Sequence, residues 1–239
     1  VYCTNLIREL QNVPHEQCLL FATQGDFSYE ALPLEAQYKV SFQTADLPFP
    51  IAGMSDVMPY PSTKYYAMDT AMLDAWKAAF HDKLCLAKAE VAPDVVILHH
   101  LWMLTSLACE VFSDCIKIGV CHNTDLRQAE QNPLLKEKYV TNIGQLNMIF
   151  ALSESQRKQI ELVYGVASKK ISTIGGGYSQ AIFYPPQNRT AKPYIDIVYA
   201  TKIDQSKGIY SLLEAFDKVS AAEPDLRLHI VGNPDEKNQ

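Results

Sequence analysis

Hydrophobic residues along this chain switch repeatedly between two rhythms. Runs too short for a helix and rich in β-branched or aromatic residues stand at Gln17 to Thr23, Val95 to Leu98, Cys115 to Val120, Met148 to Leu152, Lys170 to Ile174, Ile195 to Tyr199 and Leu226 to Val231. Between them lie longer stretches whose apolar residues recur every three or four positions. The first pattern predicts strands and the second helices. Ile209, Leu212, Leu213, Phe216 and Val219 form the clearest helical stripe, with Pro224 at its exit. It separates the strands at Ile195 and Leu226, and strand, helix, strand in that order predicts a right-handed crossover of parallel strands. The runs at Gln17, Val95 and Ile195 lack alternation and are expected to be buried on both faces, whereas Gln37 to Phe42 alternates and is expected to be half exposed.

Boundary residues place the remaining elements. Val1 to Leu10 is amphipathic; Asp69 suits the cap of a long helix with Met72, Leu73, Trp76, Phe80, Leu84 and Val91 on one stripe, and Pro93-Asp94 stops it. Asn132-Pro133 reads as cap and first-turn proline of a helix burying Leu135, Tyr139, Ile143 and Leu146. Ser153-Glu-Ser-Gln156 is a capping box, and Gly165 suits the end of its helix. Leu47 to Gly53 is short and proline-interrupted, and two prolines restrain the loop 54–62. Asp56, Tyr60 and Ser62 in that loop either line a sugar site or belong to a rigid connection. Alternation of strands and helices from end to end predicts an α/β protein with parallel sheets.

Composition narrows the functional classes. A net charge of −6 with dispersed lysines and arginines argues against a nucleic-acid surface. No apolar run approaches bilayer length and no secretory signal is visible, so a cytoplasmic setting is expected. The six cysteines show no C-x-x-C pair and mostly sit in apolar runs, which fits reduced core thiols better than disulfides or zinc. Gly175-Gly-Gly177 permits close backbone approach, but no G-x-G-x-x-G opens a helix, so nicotinamide binding is not supported.

Candidate chemistry gathers where strands end, since parallel sheets bind ligands at their carboxyl edge. His99 and His100 follow one such strand; as neighbours they point to opposite faces and cannot chelate one metal, so they are either ligand-facing or structural. Cys121-His-Asn-Thr-Asp-Leu-Arg127 follows the next. Its His122, Asp125 and Arg127 suit a hydroxyl-rich, phosphate- or carboxylate-bearing substrate, or else Asn123 and Asp125 make turns and cap a helix. After the strand at Ile195, Lys202 and Lys207 flank a loop, Lys207 being expected in the first turn of the next helix. There they either hold a diphosphate-sized anion or are solvated.

Four of these segments together resemble family 4 glycosyltransferases. Tyr199-Ala-Thr-Lys-Ile-Asp-Gln-Ser-Lys-Gly208 is similar to that family's G-R-x-x-x-x-K-G segment, with Thr201 for Gly and Lys202 for Arg. Pro93-Asp-Val-Val-Ile-Leu-His99 resembles P-D-x-x-x-x-H; His122 and Asn123 resemble an H-G or H-x-T loop; and Gly175 to Pro185 resembles V-I-P-N-G-x-D-x-x-x-F-x-P, with Gly177 as the matching glycine. The resemblance implies a retaining enzyme of the GT-B fold, with two Rossmann-like domains. These would be residues 1–184 on the acceptor side and the start of the donor domain at 185–239. It implies transfer of a hexosyl or N-acetylhexosaminyl group from a nucleoside diphosphate sugar to a sugar or lipid-linked acceptor, without metal or other cofactor. Peripheral membrane contact is compatible with such an acceptor. His99 would meet the donor sugar, Lys202 and Lys207 the diphosphate, and His100, His122, Asp125, Arg127 and Gly177 the substrate side. Epimerases and phosphorylases of the same fold, or a non-catalytic nucleotide-sugar-binding protein, are the alternatives. The family's E-x7-E motif would fall beyond Gln239, and its first strand before Val1. That strand is expected to lie between the strands at Gln17 and Val95, which then would not pair with each other.

Overall fold

The computed structural model describes residues 2–55, 58, 60–185 and 191–233. The chain divides into two compact units, Val1–Gly177 and Tyr178–Gln239. The first unit holds helix α1 (Tyr2–Leu10), strands β1 (Leu19–Gln24) and β2 (Gln37–Phe42), helix α2 (Thr70–Val91), and then β3 (Val95–His99), α3 (Met103–Val111), β4 (Ile116–Val120), α4 (Thr124–Gln131), α5 (Pro133–Tyr139), β5 (Met148–Ala151), α6 (Glu154–Tyr164) and β6 (Ile171–Thr173). The second holds β7 (Ile195–Ala200), α7 (Ile209–Ser220) and β8 (Leu226–Val231). Every strand pairing is parallel: β1 with β2, β3-β4-β5-β6 in sequence, and β7 with β8. Among the described residues β1 and β3 do not pair with each other.

Caps follow the sequence closely. Asp69 accepts from Met72 N at 2.8 Å and α2 ends on Ala92 in a left-handed conformation, one residue before Pro93. Ser153 Oγ accepts from Gln156 N at 3.1 Å while Gln156 Oε1 takes Leu152 N at 2.7 Å, and Gly165 closes α6 at φ 64°. Helix α2 buries Leu73, Trp76, Phe80 and Leu84 against Phe42, Leu98 and the α3 residues Leu107 and Ala108 in one core. The predicted Val91 lies outside that stripe and is exposed.

Several expectations need correction. The helix predicted from Asn132 through Leu146 stops at Tyr139; Ile143 and Leu146 are buried from a separate short turn. The strands read as buried on both faces are not. Register puts Val95, Ile97 and His99 on the same side as Ile116, Ile118 and Val120, and the amino half of that side is open, with Val95 46% and Ile97 36% exposed. The opposite side packs on the core through Leu98, Gly119 and Ile149. Strand β1 is half-buried and β7 largely exposed. An apolar run fixes an extended conformation, but its burial depends on which layers cover it. The cysteines also divide: Cys109 and Cys121 are buried thiols, Cys18 and Cys85 are exposed, and no disulfide forms among the described residues.

Candidate functional site at the carboxyl ends of β3 and β4

Two adjacent parallel strands deliver the densest polar cluster. His99 is the last residue of β3, and Val120, its register partner, is the last of β4, so the segments leaving these strands start side by side. Both then turn sharply at non-glycine residues with positive φ, His100 at 67° and Asn123 at 72°. Such conformations cost about 1–3 kcal/mol and persist only where the surroundings impose them.

Asp125 imposes them. This side chain has no exposed surface. Its Oδ2 accepts from Leu101 N at 2.7 Å, and its Oδ1 accepts from His122 N at 3.2 Å, Leu126 N at 3.2 Å and the Cys121 thiol at 3.4 Å. The carboxylate thereby ties the segment after β3 to the segment after β4. Tyr164 of α6 secures the same tie from below, its hydroxyl donating to Leu101 O at 2.6 Å. Asp125 was expected on the substrate side; its oxygens face backbone and a thiol, which is the turn-and-cap role open to it in the sequence.

Around this tie the imidazoles collect. His99 Nδ1 and His122 Nε2 lie 3.0 Å apart, with ring centroids 5.2 Å apart and ring planes inclined at 29°, so the rings meet nearly edge to edge. His100 packs against His122 with ring centroids 4.6 Å apart and sets Nδ1 3.3 Å from Thr124 Oγ1. Burial, reinforced by the neighbouring imidazoles, pushes His99 and His100 down to about 4, and burial lowers His122 despite the opposing charge of Asp125. All three are therefore neutral at pH 7. Tyr2 of α1 stands edge-on to His99 at 5.8 Å and to His122 at 5.1 Å. Nothing in the sequence near Tyr2 marks it, because its partners are remote along the chain.

The other expected residues fall elsewhere. Arg127 is exposed on α4, and Gly177 is an exposed residue at the end of the first unit. The loop holding Tyr60 and Ser62 touches the end of β1 and α4, through Gln24 to Pro61 O at 3.4 Å and Gln128 to Met54 O at 3.2 Å; Asp56 lies outside the described residues. In the second unit Lys202 and Lys207 are both exposed beyond the carboxyl end of β7. Lys207 closes a short 3₁₀ turn rather than opening α7, because Gly208 at φ 76° separates the two. Tyr199 holds this turn, its hydroxyl donating to Lys207 O at 3.1 Å. No group of three or more metal-binding side chains occurs among the described residues, and none of their helices is long and apolar enough to cross a membrane.

No protein-family model matches the chain, and no curated protein does. Among solved structures it is similar to a mutant of S. aureus TarM in complex with fondaparinux, α-GlcNAc-glycerol and UDP, at 17% identity and a TM-score of 0.44. That match covers 66% of this chain and 32% of the TarM chain, so this chain spans about a third of its length.

Proposed function

We propose that this chain carries part of a glycosyltransferase acting on a nucleoside diphosphate sugar, with retention of configuration. The observation that carries the proposal is the pair His99–His122, delivered by the carboxyl ends of adjacent parallel strands and held neutral. Neutral imidazoles at such an edge serve as uncharged hydrogen-bonding partners for sugar hydroxyls, and parallel α/β sheets bind ligands there. In the transfer the acceptor oxygen bonds to the anomeric carbon while the bond from that carbon to the diphosphate breaks, and the acceptor's hydroxyl proton passes to the departing diphosphate oxygen. His99 meets the donor sugar. Lys202 and Lys207 offset the charge left on the diphosphate, the contribution that makes a resident metal dispensable. The donor and acceptor domains implied by the sequence resemblance, 1–184 and 185–239, belong to the same proposal, as do the substrate-side roles of His100, His122, Arg127 and Gly177.

A donor screen tests it: nucleoside diphosphate sugars are incubated with the protein, with and without hydroxyl acceptors, and the products are separated. Appearance of a glycosylated acceptor and free nucleoside diphosphate supports transfer. Interconversion of the donor sugar, or phosphorolysis, replaces it with the epimerase or phosphorylase chemistry of the same fold. Saturable donor binding with no turnover replaces it with a non-catalytic binding protein.

A further inference from the structure

The hydrogen bond between His99 Nδ1 and His122 Nε2 holds one proton, and which ring owns it decides what His99 can do. Were His99 the donor, both neutral rings would have to be Nδ1–H tautomers. With His122 as donor, both are Nε2–H, the intrinsically commoner neutral form of the histidine ring. The surroundings favour the same choice. Among the described residues, the charged and titratable groups facing the pair are Asp125 of α4, His100 of the segment after β3 and Tyr2 of α1. Asp125 is the only anion among them, and it raises the proton affinity of His122. Burial lowers both rings, but the two neighbouring imidazoles lower His99 further, with no anion opposing them. His122 is itself placed by its backbone, whose N–H is held by Asp125 while Asn123 takes a strained positive φ.

We propose that His122 is a positioning residue for His99: it donates Nε2–H to His99 Nδ1 and so fixes His99 as an Nε2–H donor. Among the described residues His99 Nε2 has no hydrogen-bond partner, so this is the nitrogen that meets a ligand. The chemical class follows. His99 recognises an oxygen acceptor, a sugar hydroxyl or ring oxygen, and does not serve as a base toward it. The consequence for transfer rests on the glycosyltransferase proposal; the tautomer does not.

The test therefore has two arms. Long-range ¹H–¹⁵N spectra of the full chain at pH 7 should show His99 protonated at Nε2 with an unprotonated, hydrogen-bonded Nδ1. In H122F its Nδ1 should lose that hydrogen-bonded signature. A His99 protonated at Nδ1, or a His99 signal unchanged in H122F, overturns the proposal. In the second arm H122F should lower kcat for transfer about ten- to a hundredfold with donor KM nearly unchanged, as for an orienting contact slightly misplaced. H122Q, whose amide N–H can replace the donor, should recover much of the loss. Equal loss in H122F and H122Q overturns positioning by hydrogen bonding. If the spectra behave as expected while H99A transfers at the normal rate, the glycosyltransferase role of His99 fails and the positioning stands.

Discussion

The units β3–α3–β4 and β7–α7–β8 are built on the same plan, two parallel strands joined through a helix, and they differ in almost everything else. In the first, α3 buries six of its nine residues and a buried carboxylate fastens the segments beyond both strands. In the second, Ile209 is the buried residue of α7, and the strands expose Ile195, Val198 and Val231. Each has an aspartate with several partners. Asp125 is sealed among backbone N–H groups, whereas Asp196 sits at the surface between Lys192 at 2.6 Å and His229 at 2.7 Å. Local sequence is enough to make the crossover, and depth decides what its polar groups are worth.

Removing one carboxylate from each sharpens that contrast. Asp125→Ala leaves the N–H groups of Leu101, His122 and Leu126 without their acceptor and should lower unfolding free energy by about 3–5 kcal/mol. Urea titration followed by tryptophan fluorescence reads this unit alone, because Trp76 and Trp102 both belong to it. A loss under about 1 kcal/mol would mean that the tie is not what holds the strand ends.

The next largest effect belongs to the exposed crossover and concerns activity rather than stability. Lys207→Ala should reduce transfer by roughly two to three orders of magnitude, the scale for one electrostatic contact to a developing charge, with the unfolding midpoint unchanged. An unaltered rate would remove the diphosphate role from this loop.

Third comes the pH response of the histidine cluster. The folded pKa of His99 and of His100, about 4, lies below the ordinary value near 6.5. The unfolded chain therefore takes up protons first as pH falls, and stability present above about 6.5 is lost progressively down to about 4. Allowing for partial solvent access, about 2 kcal/mol should disappear between pH 7 and pH 5. A variant with both residues changed to Gln should show a flatter curve; an equal slope would place the titration elsewhere. The smallest effect is expected for Asp196→Ala, which should leave hydrogen exchange of β7 almost unchanged, as for other surface ion pairs.

Much of this architecture was legible one residue at a time. The caps Asp69, Ser153 and Gly165 act locally and announce themselves, and the parallel crossovers follow from the order of the elements. Helix α3 was invisible because Met103 to Cys109 is nearly all buried and so carries no amphipathic stripe. Helix α4 hid in a polar stretch that reads equally well as a binding loop. At the site, His99 and His122 were found by their place at strand ends, but their hydrogen bond was not, since it depends on the register of β3 with β4. The function of Asp125 was obscured for the same reason: Leu101, its closest partner, belongs to another strand's exit.

That dependence on register also sets when the tie can form. Asp125 reaches Leu101 only after β3 and β4 are aligned, so this bond, unlike the local ones to His122, Leu126 and Cys121, is expected late on the way to the native state and early on leaving it. Asp125→Ala should therefore change the refolding rate little and appear mainly as faster unfolding, a low φ-value. The buried carboxylate acts as a latch on the native state: it does little to guide the chain there and much to determine how long the histidine pair stays assembled.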